Sequence, residues 1–432
     1  MCGFAALFEP NRRFDPDLLT AMDADLHHRG PDSGGVARED GWALVFRRLA
    51  ILDPHAQSDQ PMHDPDDRCV LVFNGEIYNY RTLRASLEDA GVRFRTDGDT
   101  EALLQGYLHW GEGVLDRLEG MYAFCLIDRA RGVAVAARDP LGIKPLYMLR
   151  HKGLTGFASE ARPLHRLRRP EVDETALAEL ITFGWAAGKL SNYRDIERVE
   201  GGTVVTVSLV DGGVTARRFN DPLATLHPDP DVTEDMVERA IESSVAAHLV
   251  SDVGYTVQLS GGVDSSLVAA LAAPRTNGAL ASYSVNLGDH PYDEGRYQDM
   301  VVERFGLDHE AVTVTAEDYA QTLPRAVRHM EGPTPHGGCV MLMLLCQRIR
   351  QRSKVVLTGE GADEMFGGYL RYAIWRKTMW QEAFARALPG AWWPDHWPFA
   401  GMRRLAGLDA AAYSAVYHDF RSVARIFPAL VP

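Results

Sequence analysis

The chain has 432 residues, 46% of them hydrophobic, and a formal charge of -14 from 45 basic and 59 acidic side chains. That length allows two or three domains with buried cores, and the acid excess argues against a partner held by phosphate neutralisation, so no nucleic acid is expected. Five cysteines (Cys2, Cys69, Cys125, Cys339, Cys346) form no CxxC pair or zinc spacing, no leader opens the chain, and apolar runs such as VMLMLL at 340–345 are too short to cross a bilayer. A cytoplasmic protein without membrane insertion is expected.

Residues 1 to about 205 contain short apolar segments, GFAALF, GWALVF, CVLVFNG, MYAFCLID, GVAVAARD and LTGFASE, bordered by Gly, Asp, Asn or Pro. Between them lie the helical stretches YRTLRASLEDAG and TEALLQGYLHWG. Strands layered with helices, an α+β or sandwich-like domain over 2–205, follow from that mixture. A linker is expected at 206–230, where SLVDGG reads as a turn and FNDPLATLHPDPDV is rich in Pro and Asp. Thr233 is the expected N-cap of a helix with Val237, Ile241, Val245 and Leu249 on one face, leading into the strand GYTVQL. Beyond it strands and helices alternate: helix 264–273, strand ASYSVNL, helix EGRYQDMVVERFG, strand EAVTV, helices to 330 and over 340–351, and strand KVVLTG. Such alternation predicts a parallel, helix-covered sheet in a second domain over 231–432. The C-terminal stretch holds five of the eight tryptophans (Trp375, Trp380, Trp392, Trp393, Trp397), expected to pack a small helical subdomain rather than an exposed partner surface.

A cysteine directly after the initiator Met becomes the N-terminus once Met1 is removed, which places a thiol and an α-amino group on one residue. The amine then serves as the base that takes the thiol proton, directly or through water, and no separate His is needed. In NGEIYN, Asn74 and the backbone N–H of Gly75 offer oxyanion donors near a strand end. Arg48 in FRRLAILD offers a bidentate fork for an α-carboxylate, and Asp99 in DGDTE a partner for an α-ammonium. Singly, Arg48 and Asp99 read as surface ion-pair residues; the set of groups is what points to hydrolysis of free glutamine.

SGGVDSS at 260–266 follows a strand and opens a helix, so Gly261 and Gly262 let backbone N–H groups approach phosphates. The hydroxyls of Ser260, Ser265 and Ser266 are expected to donate to the same oxygens, and Asp264 to reach them through bridging Mg2+. No Walker pattern is present. TGEGADEMFGGY at 358–369 follows the strand KVVL, and parallel strands converge on one crevice, so Glu360 and Asp363 are expected opposite the phosphate loop, with Asp264 and Asp363 sharing the metal. Gly367 and Gly368 read as turn residues.

The segments MCGFAALF, HHRGPD, FRRLAILD, FNGEIYNY, DGDTE, GMYAFCLID and ARDPLGIKPLY resemble the glutaminase domain of class II, N-terminal-nucleophile amidotransferases, in asparagine synthetase order, over nearly all of 2–205. The resemblance implies an αββα sandwich. It also implies that Cys2 is the nucleophile, that Arg48 and the backbone of Leu49, Ala50, Ile51 and Leu52 bind glutamine, that Asn74 and Gly75 form the oxyanion hole, that Glu76 lines the pocket, and that Asp99 holds the amine. The second half resembles the PP-loop synthetase domain of asparagine synthetases. By that resemblance Leu259 and Val285 border the adenine or ribose, Thr358 and Gly359 contact ATP, and Glu360 supports formation of an acyl-adenylate. A carboxylate such as aspartate would attack the α-phosphate, pyrophosphate would leave, and ammonia arriving through an internal passage would attack the mixed anhydride.

Members of that family usually continue with a helical portion bearing a catalytic lysine, and no such stretch is found before Pro432. A fragment, a shortened enzyme, and a chain completed by a second protein are all open readings, as is a homodimer. Three other readings compete: an amidotransferase acting on sugar phosphates, against which SGGVDSS weighs; a regulatory subunit that keeps the two folds; and a lactam-forming relative, which an intact Cys2 pocket disfavours. In HMEGPTPHGGCVMLMLLC, Glu331 is open between lining the acceptor site and capping the helix that follows, while His336 and Cys339 are read as loop and structural residues.

Overall fold

The computed structural model describes residues 1–369 apart from 225, 289–292 and 334–336, and the side chains of 182 and 183 are likewise outside the description. The five C-terminal tryptophans and His336 therefore lie outside the described residues. Two six-stranded antiparallel sheets form the first half. One runs in the order Ile196–Arg198, Tyr147–His151, Leu154–Ala158, Gly3–Phe8, Trp42–Arg48 and Ser33–Glu39. The other runs Val214–Arg218, Thr203–Ser208, Val133–Arg138, Gly120–Asp128, Cys69–Ile77 and Met62–His63.

The alternation of side chains along these strands builds the layers. From Gly3–Phe8, the side chains of Phe4, Ala6 and Phe8 meet Val70, Val72, Ala123 and Cys125 between the sheets. Ala5 and Leu7 point the other way, onto Leu19, Met22 and Leu26 of the helix Pro16–Leu26. On the far side Leu71 and Phe73 pack against Leu83, Leu103 and Tyr107 of the helices Tyr80–Asp89 and Asp99–Trp110. Helix, sheet, sheet, helix is the αββα sandwich expected. Strands apolar on both faces are what such a sandwich requires, since each sheet is covered twice. The strand Val214–Arg218 hydrogen-bonds to Thr203–Ser208, so sheet pairing continues past the residue 205 boundary into the segment expected to be linker.

The second half holds a parallel sheet in the order Asp308–Thr313, Ala281–Asn286, Thr256–Gln258 and Val356–Leu357. Thr233 caps the helix Glu234–His248 by accepting from the Met236 N–H at 3.3 Å, as its sequence predicts. The helix Ala316–Met330 opens with a reciprocal capping box between Thr315 and Asp318. The two halves touch through specific polar contacts. Lys354 Nζ lies 2.6 Å from Asp32 Oδ2, and the Tyr78 hydroxyl 2.8 Å from His248 Nε2.

Candidate active site

Strand register brings the first constellation together. Gly3 pairs with Arg47, so Cys2 lies beside Arg48 and the loop that follows it. The Leu49 N–H points at Cys2 Sγ at 3.4 Å, and Arg29 Nε donates to the Cys2 carbonyl at 2.9 Å. Burial pushes the thiol pKa up, opposed by the neighbouring amine and the Leu49 N–H. The Met1 side chain is exposed while its amine lies inward, where burial lowers the amine pKa to about 5. An amine held at this place is thus unprotonated near neutral pH.

Across the gap, the strand Cys69–Ile77 turns the side chains of Asn74 and Glu76 to the inter-sheet face shared with Val70 and Val72. Asn74 is fully buried, and neither its amide nitrogen nor its amide oxygen has a hydrogen-bond partner. Leaving both ends of a buried amide unpaired costs on the order of 1–3 kcal/mol per group, which is tolerable where a ligand supplies the partners. Gly75 is paired with Tyr122, and a Cβ there would fall 2.2 Å from the Met121 carbonyl oxygen, so only glycine fits.

Asp99 opens the helix Asp99–Trp110 and accepts from the Ile77 N–H at 3.0 Å. Burial, reinforced by the charge of Glu76, raises its pKa to about 7. Burial also raises Glu76 and lowers Lys144, whose charge faces Glu76, Arg29 and Cys2. Lys144 is 6% exposed, and its loop is fixed because the Asp139 carboxylate accepts from the N–H groups of Tyr122, Ile143 and Lys144. Sequence reasoning passed over this lysine, although ARDPLGIKPLY carried it in plain sight.

Arg48 differs from expectation. It is 6% exposed, with Nη1 donating to His55 O (2.9 Å) and Asp59 Oδ1 (2.8 Å), and Nη2 to Leu52 O (3.2 Å) and Asp53 O (2.6 Å). The fork expected to face an α-carboxylate is turned onto the loop 52–59, because those carbonyls have no strand partner and need donors. Among its neighbours, Ala50 donates its N–H to Asp32 at 2.8 Å, and Ile51 O accepts from the Asp252 N–H at 3.2 Å.

The second constellation sits at the carboxyl ends of the parallel strands. Leu259 donates its N–H to Tyr283 O at 2.8 Å and is fully buried in the core, and Val285 packs beside Tyr283. The serines differ in detail from expectation. Ser260 and Ser265 hydroxyls share a contact of 2.9 Å, the Ser265 hydroxyl also accepts from the Ser260 N–H, and Ser266 Oγ donates to Gly262 O at 2.6 Å. These hydroxyls hold the loop in shape, so the groups presented to a ligand are the N–H groups that open the helix Val263–Ala272. Gly261 has φ of 91°, a left-handed conformation that glycine adopts freely. A Cβ on Gly359 would fall 2.8 Å from Asp264 Cβ and from the Ser265 N, so the loop Thr358–Gly361 packs directly on the start of that helix. Glu360 is exposed, and Asp363 lies in the helix Ala362–Phe366 that follows. The two expected loops do converge on one end of the sheet.

The family described as "Glutamine amidotransferase domain" matches residues 1–220. The chain belongs to that family. A second family, described as "Asparagine synthase", matches residues 236–423. Among curated relatives, "Asparagine synthetase [glutamine-hydrolyzing] 1" of Bacillus subtilis (strain 168) is 33% identical over 396 residues, covering 90% of this chain and 62% of that protein. A "Putative asparagine synthetase [glutamine-hydrolyzing]" of Mycobacterium bovis is 37% identical over 398 residues, covering 86% of this chain and 61% of that one. The chain thus spans about three fifths of the length of the curated relatives it matches.

One further residue has a role different from the one its sequence suggested. Glu331 neither caps the helix that follows it nor stands near the nucleotide loops' acidic residues in any described contact. Its carboxylate accepts from the N–H groups of Ala161 (2.8 Å) and Arg162 (2.6 Å), capping the helix Ala161–His165 of the amidotransferase half, and its carbonyl accepts from Asn192 Nδ2 and the Tyr193 hydroxyl, each at 3.0 Å. Burial raises the pKa of Glu331 despite those donors. Cys339 lies in the helix Gly338–Ile349, half-buried and unbonded to another cysteine.

Proposed function

We propose that this chain couples glutamine hydrolysis at Cys2 to ATP-driven amide formation on a small carboxylate, aspartate being the first candidate. The observation that carries the first half is Asn74, a fully buried amide with both polar atoms unpaired, on the inter-sheet face of a strand whose Val70 and Val72 belong to the core against which Cys2 packs. After removal of Met1, the α-amine of Cys2 takes the thiol proton. The thiolate attacks the glutamine side-chain carbonyl, and the oxyanion is received by Asn74 Nδ2 and the Gly75 N–H. Ammonia leaves with a proton returned by the amine, and water hydrolyses the glutamyl thioester to release glutamate. Asp99 receives the substrate ammonium, and the backbone of Leu49–Leu52, on the loop that Arg48 holds in shape, frames the carboxylate end.

In the second half the N–H groups at the start of the helix Val263–Ala272 receive the phosphates of ATP, bordered by Leu259, Val285, Thr358 and Gly359. The acceptor carboxylate attacks the α-phosphate, pyrophosphate departs, and ammonia displaces AMP from the acyl-adenylate, with Glu360 aiding the adenylation. Among the described residues no three His, Cys, Asp or Glu side chains gather around one point. Two carboxylates, Asp264 and Asp363, suit Mg2+ that draws its remaining ligands from phosphates and water. Bound there, Mg2+ would neutralise charge on the departing pyrophosphate. No described helix is long and apolar enough to cross a membrane, and the five free cysteines suit a cytoplasmic setting.

The test is to incubate the chain with glutamine, ATP and a panel of carboxylates that includes aspartate, following pyrophosphate and glutamate. Pyrophosphate released with one carboxylate, and an amide product of that carboxylate, is the expected result. Glutamate release with no pyrophosphate from any acceptor would overturn the synthetase half.

A pH dependence follows from Asp99. With its pKa near 7, the carboxyl is neutral below that pH and cannot offset the substrate ammonium. The KM for glutamine should therefore rise as pH falls below about 7 and level off above it, measured as glutamate release without ATP. Asp99→Asn should have a raised KM with no inflection there, and an unchanged profile would remove Asp99 from the ammonium site.

A further inference from the structure

The loop after Arg48 is anchored from both sides of the molecule. Within the amidotransferase half, Asp53 is its hub: its carbonyl accepts from Arg48 Nη2, and its Oδ2 accepts from the Ser58 hydroxyl at 2.5 Å and the Asp97 N–H at 3.0 Å. The same residue thus touches the arginine at one end of the glutamine pocket and the turn that presents Asp99 at the other. Asp53 has φ of 43°, a left-handed conformation unusual for a residue with a side chain, and is 4% exposed. Its own N–H is satisfied from outside the domain. Asp252 Oδ2 accepts it at 2.7 Å, and the Asp252 N–H donates to Ile51 O at 3.2 Å, a reciprocal pair that clamps Ile51 to Asp53. Three residues before Asp53, Ala50 is held in the same manner. Its N–H donates to Asp32 Oδ2, which pairs with Lys354 Nζ at 2.6 Å, and the same Nζ lies 3.5 Å from Ala50 O.

Both outside anchors precede strands of the parallel sheet. Asp252 comes just before Thr256–Gln258, which leads to SGGVDSS, and Lys354 just before Val356–Leu357, which leads to TGEGADE. These two strands are hydrogen-bonded neighbours. Each therefore has one end on the glutamine loop and the other at a nucleotide loop.

We infer that Asp252 and Lys354, residues of the nucleotide half, are positioning residues for the glutamine pocket, holding Ala50–Asp53 in the shape that binds substrate. Neither touches substrate, and their effect passes through Asp53 to Arg48 and to the Asp99 turn. The inference rests on the glutaminase reading of Cys2. Asp252 supplies the larger share, since it satisfies the N–H of a buried residue in a strained conformation, whereas the Lys354 to Asp32 pair is partly exposed and worth less.

The experiment is steady-state glutamate release by the full chain without ATP, alongside pyrophosphate release driven by added ammonia. Asp252→Ala should raise the KM for glutamine about tenfold with kcat unchanged. Asp252→Asn keeps an acceptor oxygen and should restore most of the lost affinity. Lys354→Met should raise KM by about threefold, with Lys354→Arg near wild type, and this exposed position keeps the test available should Asp252→Ala fold poorly. Ammonia-driven pyrophosphate release should stay at the wild-type level in all four. An unchanged KM in both Asp252→Ala and Lys354→Met, a failure of Asp252→Asn to restore it, or an equal loss of the ammonia-driven reaction would overturn the inference. Failure of the underlying reading shows separately, as a wild-type chain that releases no glutamate or a Cys2→Ala chain that still does.

Discussion

Cys2→Ala should lower glutamine-dependent product formation by at least ~10^3-fold while leaving turnover with added ammonia intact. The size of the effect follows from what the residue supplies. In the proposed mechanism the sulfur forms the covalent bond, and neither Asn74 nor the Gly75 N–H can replace a nucleophile. The fold should survive, because Cys2 precedes rather than belongs to the strand Gly3–Phe8 and packs only at the margin of the inter-sheet core. Measured side by side with glutamine and with ammonia, the variant separates the two halves of the reaction. Loss of both activities would show that the sites are not separable as described.

The second large effect belongs to Asp264. Asp264→Asn keeps the side-chain shape while removing the charge, and should reduce pyrophosphate release at least ~10^2-fold with glutamate release unaffected. Raising the Mg2+ concentration should recover part of the loss if the carboxylate acts through a bound cation. Unchanged ATP cleavage in this variant would remove the loop from the mechanism. Asp264→Ala keeps the Cβ and backbone atoms that Gly359 approaches, and should give a loss at least as large.

Much of this architecture was legible in the sequence, and the exceptions have physical causes. Strands such as CVLVFNG and MYAFCLID declare themselves because they are buried on both faces and read as unbroken apolar runs. The strand Ser33–Glu39 did not, since it is an edge strand with alternating exposure that opens on Ser-Gly-Gly, a composition that suggests a turn. The helix Pro16–Leu26 carried a readable start, with Asp15 accepting from the Asp17 N–H and Pro16 in its first turn, yet its apolar spacing was not singled out.

The site shows the same division. Cys2, Asn74, Gly75 and Asp99 stand out in the sequence because their residue types carry the proposed chemistry. The present engagement of Arg48 was hidden, since it depends on where a loop leaves its carbonyls. Lys144 and Glu331 were missed in role for a related reason. That a lysine is buried, or that a glutamate caps a helix 170 positions away in the chain, is decided by tertiary contacts that no local pattern encodes.

The strand Cys69–Ile77 sends Asn74 and Glu76 to one face while Phe73 and Gly75 belong to the other, and that alternation restricts how the pocket can diversify. Deleting or inserting one residue upstream within the strand would exchange the two faces, putting the amide into the helix-side core and an aromatic ring into the proposed glutamine site. Length changes are therefore forbidden inside the strand and permitted only beyond its ends. Variation in what this pocket accepts should accumulate in the turns that border it, with the strand itself inherited as an indivisible unit.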